Sequence, residues 1–211
     1  MDPNSKPDIL PSSSAIPRWT SWLDSLLPSH AAAEKIKIFS ELEEAFPGQP
    51  ETARLAQAIW LTGRGQAYAK RGRFFKALDC FAEAMNIKRD HIPAYLSMAI
   101  TFRRLGQFGG SYSYISVAME TLKRLPRRVR ILGREINLEL FGAAVYSEWA
   151  TLYILTGNRA KAAESLEKAL SYHARALESG EEERTFLLQS GCRLDDEFAI
   201  NLRTTLASLT H

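Results

Sequence analysis

Four histidines, two cysteines and 24 carboxylates are the side chains from which this 211-residue chain would have to build a catalytic or metal site. Their spacing does not favour one. His30, His91, His173 and His211 are scattered along the chain, and Cys80 and Cys192 are too far apart in sequence to act as a metal-binding pair. There is no nucleophile elbow, no P-loop and no H-E-x-x-H helix. Gly63-Arg64-Gly65-Gln66-Ala67-Tyr68 opens like a dinucleotide fingerprint, but it lacks the third glycine and a preceding strand. No catalytic residue, metal or cofactor is therefore expected, and the cysteines read as reduced structural thiols.

The side chains that do concentrate are cations. Lys123, Arg124, Arg127, Arg128, Arg130 and Arg134 put six basic groups in twelve residues with no acid among them. Lys70, Arg71, Arg73, Lys76, Arg103 and Arg104 could join them in a broad cationic face. Such a face suits an acidic protein partner, a nucleic-acid backbone or an anionic membrane surface. The plain alternative is a solvated connection neutralised by the chain's own acidic ends. Nucleic acid ranks below protein, because the run holds no aromatic platform on which bases would stack.

The net charge of +3 conceals this segregation. Residues 54–134 carry 16 basic and 4 acidic side chains, whereas residues 1–53 and 135–211 are both net acidic. With 45% apolar and 24% charged residues, the chain is neither disordered in bulk nor collagenous nor a disulfide scaffold. The N-terminus is polar, with no apolar stretch behind a cationic start, so a cytoplasmic location is expected. The most apolar stretch, Leu140 to Leu155, contains Glu148 and is too short to span a bilayer, so it reads as a buried soluble helix.

The elements that position these groups follow from hydrophobic period. Residues 1–17, with four prolines and a run of three serines, form a tail too poor in apolar surface to order itself. Residues 18–57 supply N-terminal helices. Trp19, Trp22, Leu23, Leu26 and Leu27 mark a short amphipathic helix stopped by Pro28, which docks either on this chain or on another. A second helix, about Ala31 to Phe46, presents Ile38, Leu42 and Ala45 and ends at Pro47-Gly48. No alternating β-branched run supports a sheet, so the fold class is all-α. Residues 126–142 read as a basic extended connection followed, from Glu135, by a lengthening of the next helix. Residues 177–211 supply C-terminal capping helices. Ser179 and Glu182 form a capping box there, and Leu194, Phe198, Leu202, Leu206 and Leu209 share one face.

Between these flanks the chain repeats itself. Leu61, Gly65, Tyr68, Gly72, Ala77, Phe81 and Ala84 recur 34 residues later as Tyr95, Ala99, Phe102, Gly106, Ser111, Ile115 and Ala118. They recur a further 51 residues on as Tyr146, Ala150, Tyr153, Gly157, Ala162, Leu166 and Ala169, one period plus an insertion of 17. Small residues let two antiparallel helices approach, aromatic and aliphatic residues fill the space between them, and a glycine leaves the first helix in a left-handed turn.

This register resembles the tetratricopeptide repeat, over residues 58–91, 92–125 and 143–176. The pattern departs from the family in lacking the closing proline, replaced by Arg89 and Lys123, and in placing Gly109-Gly110 at the head of a helix. The resemblance implies a helical solenoid that binds a partner along a groove lined by the first helix of each repeat. The groove positions it implies are Ile59, Thr62, Gln66, Ala69 and Lys70, then Leu96, Ser97, Ile100, Arg103 and Arg104 beside Tyr95, then Ala144, Ser147, Thr151, Ile154 and Leu155. The Lys and Asn clamp that some family members close on a C-terminal carboxylate is missing: Thr62, Gln66, Ser97, Ala144 and Glu148 stand there. The expected function is a non-enzymatic adaptor or an assembly or secretion chaperone holding a partner segment that is apolar with some acidic residues, with self-association as a further option. A nucleic-acid-associated factor using residues 123–134 is the alternative.

Overall fold

A computed structural model describes residues 32–131, 134–177 and 196–210. The tail, the helix expected at Trp19, Trp22, Leu23 and Leu26, the capping box, His30, Cys192 and His211 lie outside the described residues. Eight helices are present among the described residues: α1 (Ala32–Ala45), α2 (Pro50–Lys70), α3 (Phe74–Ile87), α4 (Ile92–Arg104), α5 (Phe108–Arg124), α6 (Glu139–Leu155), α7 (Arg159–Leu177) and α8 (Asp196–Thr210). They dominate the fold, as the all-α reading expects.

The helices pack as pairs, α2 on α3, α4 on α5 and α6 on α7, and each pair rests on the next. One turn is built three times. Gly72, Gly106 and Gly157 have φ of 73°, 74° and 78°, the left-handed region that costs a Cβ-bearing residue about 1 kcal/mol or more. The amide after each glycine reaches back five residues: Arg73 to the Tyr68 carbonyl at 3.0 Å, Gln107 to Phe102 at 2.9 Å and Asn158 to Tyr153 at 2.8 Å. These bonds satisfy carbonyls that the helix end would otherwise leave unpaired.

Inside the pairs, Ala77, Phe81 and Ala84, Ile115 and Ala118, and Ala162, Leu166 and Ala169 are all buried. Gly65 shows why small residues are needed where two helices meet. A Cβ placed on it would lie 2.4 Å from the Phe81 ring. Gly65→Ala is expected to destabilise the protein by about 1–3 kcal/mol through overpacking, measured as a lower urea midpoint, and Phe81→Leu added to it should restore part of that loss. A second substitution that made matters worse would show that the clash is not the cause.

Both ends of the stack are covered where described. Ile38 and Leu42 of α1 are buried against Ala58, Trp60 and Leu61, with Phe39 edge-on to Trp60 at 5.8 Å between centroids. Lys35 also pairs with Glu83 of α3. Leu202, with Leu206 and Leu209, packs α8 onto Ala150, Leu166 and Ala169.

The 17-residue insertion departs from expectation. The next helix is lengthened only from Glu139, and residues 135–137 do not join it. Arg128–Ile131 (β1) and Arg134–Asn137 (β2) form an antiparallel hairpin in the register Arg128 to Asn137, Val129 to Ile136, Arg130 to Glu135 and Ile131 to Arg134. The physical reason is local. Val129, Ile131 and Ile136 are β-branched and alternate with polar residues, which suits a pleated ribbon better than a helical first turn. The Leu138 amide donates to the Arg127 carbonyl at 2.8 Å and closes the ladder, and α6 starts directly after it at Glu139.

Candidate interaction surface

The first helices of the pairs, α2, α4 and α6, lie side by side and make one face. Several of the groove positions expected from sequence join these helices to one another or to the core. Thr62 is buried, donates to the Ala58 carbonyl at 2.8 Å and meets His91 Nε2 at 3.1 Å. Gln66 of α2 donates from Nε2 to Ser97 Oγ of α4 at 3.1 Å. Arg103 of α4 makes a two-pronged pair with Glu148 of α6, with Nε donating to Oε1 and Nη2 to Oε2, the second at 3.1 Å. Leu96 is buried, and Ile100 and Tyr95 are half-buried against the core, the Tyr95 hydroxyl donating to the Arg89 carbonyl at 2.8 Å.

What remains open on this face runs from Ile59, Gln66 and Lys70 through Ile100 and Arg104 to Ala144, Ser147, Thr151, Ile154 and Leu155. Thr151, half-buried, donates its hydroxyl back to the Ser147 carbonyl at 3.0 Å, so that donor is already satisfied within α6. Arg104 lies over the Phe74 ring at 5.0 Å and donates to the Ala69 carbonyl at 3.3 Å while its residue stays exposed. The strip is small and apolar in α6 and cationic where α2 and α4 end.

The broad cationic face does not form as one patch. Lys70, Arg71, Arg73 and Lys76 surround the first glycine turn, between α2 and α3, and Arg104 ends α4 beside the second. Lys123, Arg124, Arg127 and Arg128 sit at the far end of α5, a helix of 17 residues and so about 25 Å long. There the chain's own carboxylates approach them. Glu120 lies 3.7 Å from Lys123 and 3.9 Å from Arg124, and Glu139 lies 3.1 Å from Arg127 while also bonding Arg175 at 2.8 Å. Arg130 and Arg134 are on the hairpin, opposite Glu135 and Ile131. A cleft of about 430 Å³ beside this end mixes Lys88, Arg89 and Arg124 with Glu51 and Asp90, and Lys88 is already bridged to both acids.

One constellation was not anticipated. Tyr146, Trp149 and Tyr153 of α6, at helical spacing, line a cleft of about 250 Å³ with Met119 of α5 and Lys161 and Lys168 of α7. Tyr112 meets Trp149 edge-on at 4.4 Å, and Trp149 stacks on Tyr153 at 5.5 Å. Lys161 and Lys168 lie over Tyr153 and Tyr146 at 5.6 and 5.7 Å. The i, i+3, i+7 spacing was the available signal, but two of its members also fill repeat positions.

The buried titratable groups are structural in their surroundings. Burial pushes the Cys80 thiol up to about 11, out of the range of a reactive thiolate. Burial lowers His91 to about 4, leaving a neutral imidazole on Thr62. Among the described residues no three His, Cys, Asp or Glu side chains gather as a metal site requires, and no helix is long and apolar enough to cross a membrane. Comparison of the chain with protein-family models and with curated proteins finds no match.

Proposed function

We propose that this chain is a non-enzymatic binding module of the tetratricopeptide kind, which holds a segment of another protein against the face made by α2, α4 and α6. The observation that carries the reading is the threefold recurrence of one turn, at Gly72, Gly106 and Gly157, joining helix pairs whose small and large core residues keep the same register. Helices so aligned offer a continuous strip, and the strip here combines Ile100, Ala144, Thr151 and Leu155 with Lys70 and Arg104. An amphipathic or extended segment with apolar anchors and a few carboxylates matches that chemistry. The nucleic-acid alternative is weaker, because the cations at 123–128 are approached by Glu120 and Glu139 and no aromatic side chain lies among them.

The reading is tested with a photo-crosslinking residue placed at Ser147, inside the strip, and separately at Glu167, an exposed position on α7. In the native cell, Ser147 is expected to capture a defined protein partner that Glu167 does not, and Thr151→Arg should reduce that capture about tenfold or more. Identical products from both positions would refute a binding strip on α2, α4 and α6.

A further inference from the structure

The three glycine turns and the helix ends around them, residues 70–76, 103–109 and 154–161, hold eight Lys or Arg side chains and no Asp or Glu. Arg103 is committed to Glu148. Among the described residues Lys70, Arg73, Lys76, Arg104, Arg159 and Lys161 are all exposed and make no ion pair. Three of them set their charged groups over aromatic rings, Lys76 Nζ over Tyr68, Arg104 Cζ over Phe74 and Lys161 Nζ over Tyr153, while the residues stay exposed.

The same turns expose apolar side chains. Of seven large apolar residues exposed among the described residues, four are here: Phe75 at 74%, Leu155 at 51%, Ile154 at 39% and Phe108 at 38%. The turns are physically continuous. Arg104 of the second reaches the Ala69 carbonyl and the Phe74 ring of the first. Tyr112, just past the second, contacts Trp149 and through it Tyr153 at the third. The result is a single edge on which unpaired cations alternate with protruding apolar groups.

We propose that this edge docks on an anionic lipid surface, its apolar side chains entering the headgroup region and its cations meeting lipid phosphate and carboxylate groups. Shape decides between partners of similar charge. A peptide gains affinity by filling a trough, whereas Phe75 projects from a turn with three-quarters of its surface in water. A nucleic acid stacks its bases on rings, which Phe75 and Phe108 could offer, but it gains nothing from the aliphatic Ile154 and Leu155 beside them. A bilayer interface accepts protruding hydrocarbon of any outline between cations, and the negative leaflet supplies the counter-charge. This goes beyond the binding strip, with which the edge shares Lys70, Arg104, Ile154 and Leu155, and it leaves Ile100, Ala144, Ser147 and Thr151 open, so a held partner would be presented at a membrane.

The test is flotation of the full chain with vesicles of phosphatidylcholine containing about 30 mol% phosphatidylserine, against phosphatidylcholine alone. Binding to the anionic vesicles is expected to be about tenfold stronger and to weaken as salt is raised. Phe75→Ser, and separately Arg73→Ser with Lys76→Ser, should each lower it about fivefold or more with an unchanged thermal midpoint, while Arg127→Ser with Arg128→Ser at the opposite end leaves it intact. These substitutions avoid the crosslinking strip, so capture from Ser147 should survive them. The proposal is overturned by absence of binding to the anionic vesicles, by equal binding to both vesicle types, by a loss that follows Arg127 and Arg128 instead, or by an acidic peptide or single-stranded oligonucleotide that displaces the protein from vesicles.

Discussion

Replacing Arg103 by methionine is expected to cost about 3 kcal/mol of folding stability at neutral pH, although the new side chain fills much of the same space. The loss comes from what is left behind. Glu148 is buried in α6, and the two nitrogens of Arg103 are its hydrogen-bond donors. Burial raises the Glu148 carboxyl above its ordinary range, while the hydrogen bond and charge of Arg103 hold it down. Without Arg103 the raising influence acts alone. A carboxyl whose folded pKa exceeds its unfolded value binds more protons when folded, so stability falls as pH rises through the interval between the two. The difference between wild type and Arg103→Met, measured by urea denaturation, is therefore expected to be widest at neutral pH and to narrow as pH falls toward the ordinary carboxylate range. Adding Glu148→Gln should recover most of the loss at neutral pH. A difference that is flat with pH, or a double variant no better than the single, would show that the pair does not hold α4 to α6.

Acidification should act on His91 in the opposite sense. With its folded pKa lowered to about 4, against an ordinary value of 6.5, the unfolded chain takes up the proton first. This group's contribution is intact above about pH 6.5 and is lost as pH falls through the interval, reaching about 3 kcal/mol of destabilisation near pH 4. His91→Gln keeps a neutral polar group near Thr62 and removes the titration. The stability difference between wild type and His91→Gln is thus expected to shift against wild type by that amount between pH 7 and pH 4. Two curves that run parallel would mean the imidazole is not held neutral. Taking the difference also removes the contrary slope contributed by Glu148, which both proteins share.

The parts of the molecule legible in the sequence are those written in packing. Gly65, Ala99 and Ala150 had to be small and Phe81, Ile115 and Leu166 large because two helices meet there, and that requirement repeats with the helices. Ile38 and Leu42 were readable for the same reason. The polar residues of the strip were not. Thr62 and Gln66 carry nothing local that says they will bond His91 and Ser97, which lie 29 and 31 residues further along. Arg103 looks like part of a cationic edge in the sequence because Glu148, 45 residues away, comes opposite only when α4 and α6 are set side by side. The hairpin was obscured by its arginines. In Arg128-Val129-Arg130-Ile131 the charge drew attention to a patch, while the alternation that specifies a strand spans only two apolar residues. The division of the cations between two edges likewise depends on where each helix ends, which a linear count of charge does not record.

The chain departs from the stack at Arg127 and returns at Leu138, where a 2.8 Å hydrogen bond joins the two, so the excursion through the strands β1 and β2 between them leaves and rejoins the helices at one point. Glu139 fastens that point, holding Arg127 on one side and Arg175 of α7 on the other. The helical pairs on either side therefore bear no record of how many residues the excursion contains. Its length is a free variable, since doubling a loop of this kind adds only about 0.6 kcal/mol of closure entropy. Position 127–138 is thus a socket, where a tag, a reporter or a foreign recognition element could be installed without disturbing the register of the helices that flank it.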